Sequence, residues 1–216
     1  MSDLGFKLKL PKDYISYSQM NLYLWDPKEY YEQYFLGKDF MAELKKTNVD
    51  RWEKITLGSI FQDAWADPRV NWRRKLKDEG FTADKERVIA TALEQENLLR
   101  VSPSKCERTY KANYRGIPIL IRVDAFDEGE KLLIENKFGA PRDQENADED
   151  NQISYYNLGI KLALGWLPKK NILQSVNDRT GKVKQIETKR TQSDLDHIGD
   201  LIVTAARGIS EGVWEK

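Results

Sequence analysis

An alternating run near the middle of the chain constrains the fold most strongly. Every second side chain of residues 117–126 is apolar, which is the period of a β-strand with one buried face. A short turn at residues 128–130 connects this run to residues 131–137, so the pattern predicts a β-hairpin. The alternating residues 105–114 predict a third strand beside it. The side chains expected on the buried face of the run are Ile119, Ile121, Val123 and Ala125.

Helical periodicity lies on both sides of this β-region. The fold class is therefore predicted to be α/β, with a central mixed sheet flanked by helices. Residues 38–55 and the acidic residues 143–150 carry no such period and are predicted to be loops. A second hairpin is predicted from residues 169–177 and 182–188. The predicted helices cover residues 16–36 (interrupted by Pro27), 56–67, 83–99, 151–164 and 192–209.

Composition excludes several kinds of site. The chain of 216 residues has one cysteine, Cys106, and one histidine, His197, which excludes an internal disulfide, a Cys-based metal site and paired-histidine chemistry. Lys plus Arg equals Asp plus Glu at 35 each, so a general polycation is excluded, while a local basic groove is not. No apolar stretch has the length of a membrane span, and we expect a cytosolic protein without a membrane partner.

The length fits one domain. We expect this domain to cover residues 1–216, with a mainly helical part at 1–100 and the sheet with its flanking helices at 101–216.

Three charged residues interrupt the predicted hairpin. Asp124 comes late in the apolar run, and Glu135 and Lys137 are two apart in the next strand, so they share a face. Adjacent carboxylates repel each other unless they are protonated or bridged by a cation. Oxygen ligands on a rigid sheet suit Mg²⁺ or Mn²⁺, which can acidify a water that Lys137 would orient. A solvated hairpin face would explain the same three residues.

The surrounding residues favour a specific family. Residues 15–34, rich in Ser and aromatic side chains, resemble the opening helix of RecB-like PD-(D/E)XK nucleases. Further matches follow in the family's order, and together they span most of the chain from about residue 15 to 212. They are Gly58 with Gln62 at the Gly-x-x-x-His motif, Glu107 and Arg122-Val123-Asp124 leading to the metal-binding Asp, Glu135-Asn136-Lys137 at the Asp/Glu-x-Lys motif, and Gln152 with Tyr156 at the Gln-x-x-x-Tyr motif.

The resemblance implies a restriction-endonuclease-like core and a role for each matched residue. Asp124, Glu135 and Lys137 would be catalytic, and the first two would bind Mg²⁺ or Mn²⁺ together with the backbone carbonyl of Asn136. Two further candidate metal ligands are Gln62 and Glu107. The candidate DNA contacts are Gln152, Tyr156 and Lys161, although a core Tyr156 and a solvated Lys161 are also consistent with the sequence.

The chain departs from the family at three places. Gln62 stands where a metal-binding histidine is usual, which puts metal affinity in doubt. Asp26-Pro27 replaces the Cys-Pro of the iron–sulfur members, and their C-terminal cysteines are missing, so no iron–sulfur cluster is expected. The resemblance is therefore to compact phage-type or defence-linked exonucleases.

Three functions remain open from the sequence. The first is a metal-dependent exonuclease acting on single- or double-stranded DNA ends in recombination, repair or phage and defence DNA processing, alone or within a homo-oligomer or larger assembly. The second is a structure-specific endonuclease with the same chemistry. The third is a DNA-binding accessory subunit with weakened catalysis. Basic residues around Trp72, within residues 69–77, form either a further DNA contact or a solvated helix end.

Overall fold

Six β-strands form one mixed sheet in the computed structural model, which describes residues 5–215. The central strand is β3, which pairs with β2 along one edge and with β1 and then β4 along the other. The order continues through β5 to β6, and the pairs β1–β3 and β4–β5 are parallel. The strands are β1 Ile15–Ser16, β2 Cys106–Tyr114, β3 Ile117–Asp127, β4 Leu132–Gly139, β5 Lys170–Asn177 and β6 Val183–Thr188. The predicted fold class and both predicted hairpins are confirmed.

Helices cover both faces of this sheet. The first predicted helix is indeed broken, because Asp26 ends one helix and caps the next through a hydrogen bond from the Glu29 N–H, with Pro27 at the first helical position. Among residues 5–215 no helix is long and apolar enough to cross a membrane. The helices are α1 Tyr17–Trp25, α2 Pro27–Tyr34, α3 Phe40–Thr47, α4 Val49–Ala66, α5 Trp72–Asp78, α6 Ala83–Glu94, α7 Gln144–Asp148, α8 Asn151–Leu164 and α9 Gln192–Glu211.

The prediction of a loop at residues 38–55 is wrong, since α3 and the start of α4 lie there. Both helices begin at polar caps: Asp39 accepts from the Ala42 N–H and Asn48 from the Arg51 N–H. Leu44 is the one buried residue of α3, so the segment lacks the apolar stripe by which a helix is recognised from its period. The helix α5 was missed for the same reason, because its one buried residue is Leu76.

The acidic residues 143–150 are also not a loop. Asp143 forms a capping box with Asn146 and starts α7. The helix is fastened to β6 by Thr188, whose hydroxyl donates to Asp148 at 2.6 Å. Its negative charges thus cap and anchor a short helix next to the start of α8.

The buried face of β3 changes at Asp124. Val123 packs in the main core with Ile121, on the side of α8 and α9. Ala125, which was predicted to share that face, packs instead in a second cluster with Phe61 of α4 and Ile134. Regular alternation of the buried face therefore breaks at Asp124, between Val123 and Ala125.

Strand pairing also stops at this point. The last β3–β4 pair is Ala125 with Ile134, and the next two positions, Asp124 and Glu135, lie where the strands separate. On the β2 edge of β3, Cys106 and Arg108 pair with β3, but Glu107 between them does not. Glu107 also has a left-handed φ of 51°. Helix α8 crosses β3 closely, since a Cβ on Gly159 would lie 2.1 Å from Ile121 Cγ1. An opening beside Asp124 results, bounded by α8 and α4.

Candidate active site

The structure brings Asp124, Glu135 and Lys137 together where β3 and β4 separate. Asp124 Oδ2 accepts a hydrogen bond from the Asn136 backbone N–H at 2.8 Å. The Lys137 ammonium donates to Glu135 Oε1 at 2.9 Å and lies 3.8 Å from Asp150 Oδ2. Glu135 is only 2% exposed, so this charge is held inside the protein rather than on a solvated hairpin face.

Burial and mutual repulsion shift the pKa values of this group. Burial raises the pKa of Asp124 well above its usual range, and the Glu135 carboxylate raises it further. Burial also raises the pKa of Glu135, against the opposing effect of Lys137. Burial lowers the pKa of Lys137, but Glu135 and Asp150 outweigh it, so the net shift is upward and the ammonium stays charged. Without a cation, burial and the surrounding negative charges therefore disfavour the ionised forms of both carboxyls.

The residues present fit a hard divalent cation. Glu135 Oε2 is buried and has no hydrogen-bond partner among the described residues, which is a costly state for a carboxylate oxygen unless a ligand meets it. Within residues 5–215, no group of three or more His, Cys, Asp or Glu side chains is arranged to hold a metal. Two carboxylates nevertheless suffice for Mg²⁺ or Mn²⁺, which take the rest of their ligands from water and phosphate.

A hydrogen-bond chain leads from Lys137 to Tyr156 on the α8 side of the site. Lys137 Nζ donates to Gln152 Oε1 at 2.6 Å, and Gln152 Nε2 donates to the Tyr156 hydroxyl at 2.6 Å. Because an ammonium can only donate, the orientation of the Gln152 amide is fixed. The Tyr156 oxygen must then accept, and its own proton is left to point elsewhere.

Burial raises the pKa of Tyr156 well above its usual range, and Glu135 and Asp124 raise it further. The hydroxyl thus keeps its proton, and the negative charges of both carboxylates act on it. It is a neutral donor beside Asp124 and Glu135.

Arg190 holds the start of α8 in place. This residue follows β6 in the chain. Its guanidinium donates to the carbonyls of Ala147 and Asp150 at 2.8 and 2.9 Å and to Ser154 Oγ at 2.8 Å. Asp150 in turn caps α8 by accepting from the Gln152 and Ile153 N–H groups. This buried clamp fixes the helix end from which Gln152 reaches Lys137.

The α4 side of the site is closed by a row of neutral amides. Asn136 Nδ2 donates to Gln62 Oε1 at 2.9 Å, and Gln62 Nε2 donates to Glu107 Oε1 at 2.9 Å. Behind them, Gln174 Nε2 donates to Asn136 Oδ1, and Gln174 Oε1 accepts from the Leu99 N–H. A carboxylate at one end and a backbone N–H at the other fix every amide in this row.

The row commits Gln62 and Glu107 to other partners. Both polar atoms of the Gln62 side chain are already hydrogen-bonded, and Glu107 Oε2 accepts from the Arg122 guanidinium at 2.6 Å. Glu107 still acts on the site, because its charge raises the pKa of Asp124. Metal ligation by Gln62, by Glu107 and by the Asn136 carbonyl stays a prediction.

Two clefts meet at Asp124. The larger, of about 620 Å³, runs between α1 and α4 and ends at Tyr156, Gln152 and Asp124. The smaller, of about 380 Å³, lies between α4 and β4 and is lined by Glu135, Lys137 and Lys54. Ser59, Gln62 and Asp124 line both of them. An extended ligand passing from one cleft to the other would cross the carboxylate pair.

Two residues near the site were not singled out as site residues from the sequence. Tyr17 lines the larger cleft, and burial raises its pKa to about 12, with a further increase from Asp150. Asp150 lies 3.8 Å from the Lys137 ammonium. Their signals in the sequence were their places at helix starts: Tyr17 directly follows the cap Ser16, and Asp150 is itself the cap that precedes Asn151.

Other candidate residues lie elsewhere. Lys161 donates to Gln192 of α9 and lines neither cleft. In the basic segment around Trp72, the cations Arg69, Arg73, Arg74 and Lys75 each have an acidic partner: Asp67, Glu86, Asp78 and Asp63. These contacts favour the solvated helix end over a DNA contact.

No protein-family model matches the chain, and no curated protein matches it. Two solved structures are similar to it at a distance. The crystal structure of SSO0001 is 15% identical with a TM-score of 0.44, over 97% of this chain and 80% of the other. A phage-related exonuclease from Haemophilus somnus 129PT is 12% identical with a TM-score of 0.39, over 93% of this chain and 94% of the other.

Proposed function

We propose that the protein is a metal-dependent nuclease that hydrolyses phosphodiester bonds at DNA ends. One observation carries this proposal: Glu135 has a buried carboxylate oxygen that meets no hydrogen-bond partner within residues 5–215, next to Asp124 and at the junction of two clefts. A buried carboxylate beside a half-buried one, both with raised pKa values, has little structural use, and carboxylate oxygens are the protein ligands that suit Mg²⁺ or Mn²⁺.

The chain's own residues would divide the work as follows. Asp124 and Glu135 would hold the cation, which when bound supplies Lewis-acid polarisation of the phosphoryl group and a more acidic water. Lys137 would offset charge that develops on the phosphoryl oxygens and hold the attacking water through one N–H. Tyr156 would donate its free proton to a phosphoryl oxygen, because Gln152 occupies its acceptor side. Gln152 would keep both groups aligned.

Exonuclease and endonuclease activity use the same chemistry and differ in the DNA that reaches the site. Resemblance of Gln152 and Tyr156 to the Gln-x-x-x-Tyr motif favours the exonuclease, since end-processing members of the resembled family carry it. Covalently closed circular DNA distinguishes the two, because only an endonuclease cuts it.

One observation favours a weakened accessory subunit instead. Gln62 stands at the expected histidine position, and its amide is bound on both sides, to Asn136 and to Glu107. The site then offers the cation two carboxylates and no imidazole. Metal binding in the millimolar range without cleavage would support this second function.

The decisive experiment is cleavage of end-labelled single- and double-stranded DNA with Mg²⁺, Mn²⁺ or a chelator. We expect metal-dependent loss of label from linear DNA, none from closed circles, and no activity in Asp124→Ala or Lys137→Ala. Asp178→Ala, which removes a carboxylate outside both site clefts, serves as the control and keeps full activity.

Cleavage that persists in both site variants would refute the assigned site. Tight DNA binding by the wild-type protein, without cleavage under any metal, would refute the enzyme and leave the accessory subunit.

A further inference from the structure

The larger cleft has two walls and a charged floor. One wall is α1, whose last residue, Trp25, lies at the cleft, and the other is α4. The floor is the exposed face of two strands, with Arg122 and Asp124 on β3 and Glu107 on β2. At about 620 Å³, the cleft has the capacity of small-ligand sites and is too small to enclose a duplex.

The acidic side chains of this cleft are balanced, with one exception. Glu29 pairs with Arg51 at 3.7 Å, Asp63 with Lys75 at 2.6 Å, and Glu107 with Arg122 at 2.6 Å. Asp124 is the exception, and it belongs to the proposed metal site. The cleft therefore does not repel a polyanion strongly once a divalent cation is bound.

Arg122 is placed to take a phosphate. It lies two residues before Asp124 on the same strand, so the two Cα atoms are about 6.6 Å apart. Its side chain is 69% exposed, and its bonds to Glu107 use only the Nε and one terminal nitrogen. An extended strand with its scissile phosphate at Asp124 would bring a neighbouring phosphate to this guanidinium, and phosphate would compete there with Glu107.

Trp25 offers an aromatic surface at the same cleft. Its side chain is 76% exposed, which is unusual for the largest apolar side chain. Grooves that bind single strands combine cations that contact phosphates with aromatic rings on which bases stack. Arg122 and Trp25 supply one of each along one cleft.

We propose that this cleft is a binding track for single-stranded polynucleotide, in which Arg122 binds the phosphate next to the scissile one and a base stacks on Trp25. The inference rests on the proposed nuclease function for the position of the scissile phosphate. Glu107 is the competitor that the incoming phosphate displaces from Arg122. The substrate class of the site is then a single strand or the unpaired end of a duplex.

The test is fluorescence anisotropy with a labelled oligothymidylate of about 12 nucleotides, within the site sizes of known single-strand grooves. The full chain is used with Ca²⁺ in place of Mg²⁺, because carboxylate oxygens also bind Ca²⁺. The length of the oligonucleotide is checked after each titration, so that binding is measured without cleavage. We expect Trp25→Ala to weaken binding about tenfold. Arg122→Ala should lower the slope of log affinity against log salt by about 0.7, the value for one single-strand phosphate contact.

Glu107→Gln gives an opposite and more specific result. The amide keeps an acceptor for Gln62 but no longer holds Arg122 by charge. Binding should therefore strengthen, by up to about fivefold, since an exposed ion pair no longer competes. Loss of binding in this variant would contradict the displacement of Glu107.

Trp25→Phe and Arg73→Ala are the matched controls. The first keeps an aromatic ring and should recover most of the affinity, while the second removes an exposed cation outside the cleft and should leave the slope unchanged. Circular dichroism verifies that each variant is folded.

The outcomes separate the two proposals. Cleavage by the wild-type protein, with Trp25→Ala and Arg122→Ala binding as tightly as wild type, overturns the track alone. Absence of cleavage, with both variants weakened, overturns the nuclease alone. Equal competition by a blunt duplex of the same length, or an equal loss of slope in Arg73→Ala, also overturns the track.

Discussion

On the α8 side of Asp124 the hydrogen-bond chain begins at an ammonium, Lys137, whereas on the α4 side it ends at a carboxylate, Glu107. Each charged end fixes the direction of every amide attached to it. On the α8 side this leaves the proton of Tyr156 without a role in the chain. On the α4 side both the oxygen and the nitrogen of the Gln62 amide are already hydrogen-bonded, to Asn136 and to Glu107.

The difference shows that the two flanks of one site can have different roles, one in contacting a ligand and the other in positioning strands. The α8 flank keeps a cation and a neutral donor available for a ligand at the carboxylates. The α4 flank joins α4, β2, β4 and β5 through Gln62, Glu107, Asn136 and Gln174, so its amides position strands. Substitutions on the two flanks should therefore affect different measurements.

Among substitutions in the two hydrogen-bond chains, the largest effect is expected for Lys137→Met. Cleavage should fall about 10²–10³-fold, as when one preorganised donor to a developing charge is removed. Single-turnover cleavage at saturating Mg²⁺ measures the loss, and an unchanged Mg²⁺ midpoint shows that the metal ligands are intact. A loss below about tenfold would show that Lys137 does not contact the reacting phosphate or water.

Gln152→Ala should reduce cleavage roughly 10–100-fold, because a hydrogen bond to a charged group and one to Tyr156 are both lost. Gln192→Ala is the matched control, since Gln192 also accepts from a lysine, Lys161, but outside both clefts. Equal rates for the two variants would show that the α8 chain does not align the site.

Gln62→His tests the α4 flank. We expect Mn²⁺ to bind about tenfold more tightly, because imidazole is a better ligand than an amide for transition metals. Calorimetric titration measures the gain, and chemical denaturation should show a loss of about 1–3 kcal/mol from the unpaired Asn136 and Glu107 groups.

Gln62→Leu is the control for that variant. It should lose the same stability without any gain in Mn²⁺ affinity. A gain in both variants, or in neither, would show that position 62 does not face the cation.

Tyr156→Phe should have the smallest effect, a decrease of about fivefold in kcat with little change in KM, because one neutral hydrogen bond is removed and the ring remains. Steady-state kinetics on a single-stranded oligonucleotide separates the two constants. If KM alone changes, Tyr156 binds the strand and does not donate to the reacting phosphate.

The strand pattern and the interruption of the first helix were readable from the sequence. Alternation at residues 117–126 predicted β3, and the turn at Gly129 predicted its hairpin with β4. Pro27 predicted the interruption of the first helix, which the structure shows as the break between α1 and α2. These features are local, since a turn, a cap or a period is written within a few residues of the chain.

Several features near the site were not readable in this way. The helices α3, α5 and α7 bury one residue each, so they leave almost no apolar period. The switch of face at Asp124, which sends Ala125 into a different cluster from Val123, cannot be seen in an uninterrupted alternation.

The sequence by itself determined that Asp124, Glu135 and Lys137 fall in neighbouring strands of one hairpin, because register follows from the turn and the period. Only the tertiary structure decided what surrounds them. Gln62 meets Asn136 across 74 positions, and Arg190 meets Ala147 across 43. A periodic pattern shows that a residue is buried or exposed, but the partner of a polar group depends on how distant elements pack.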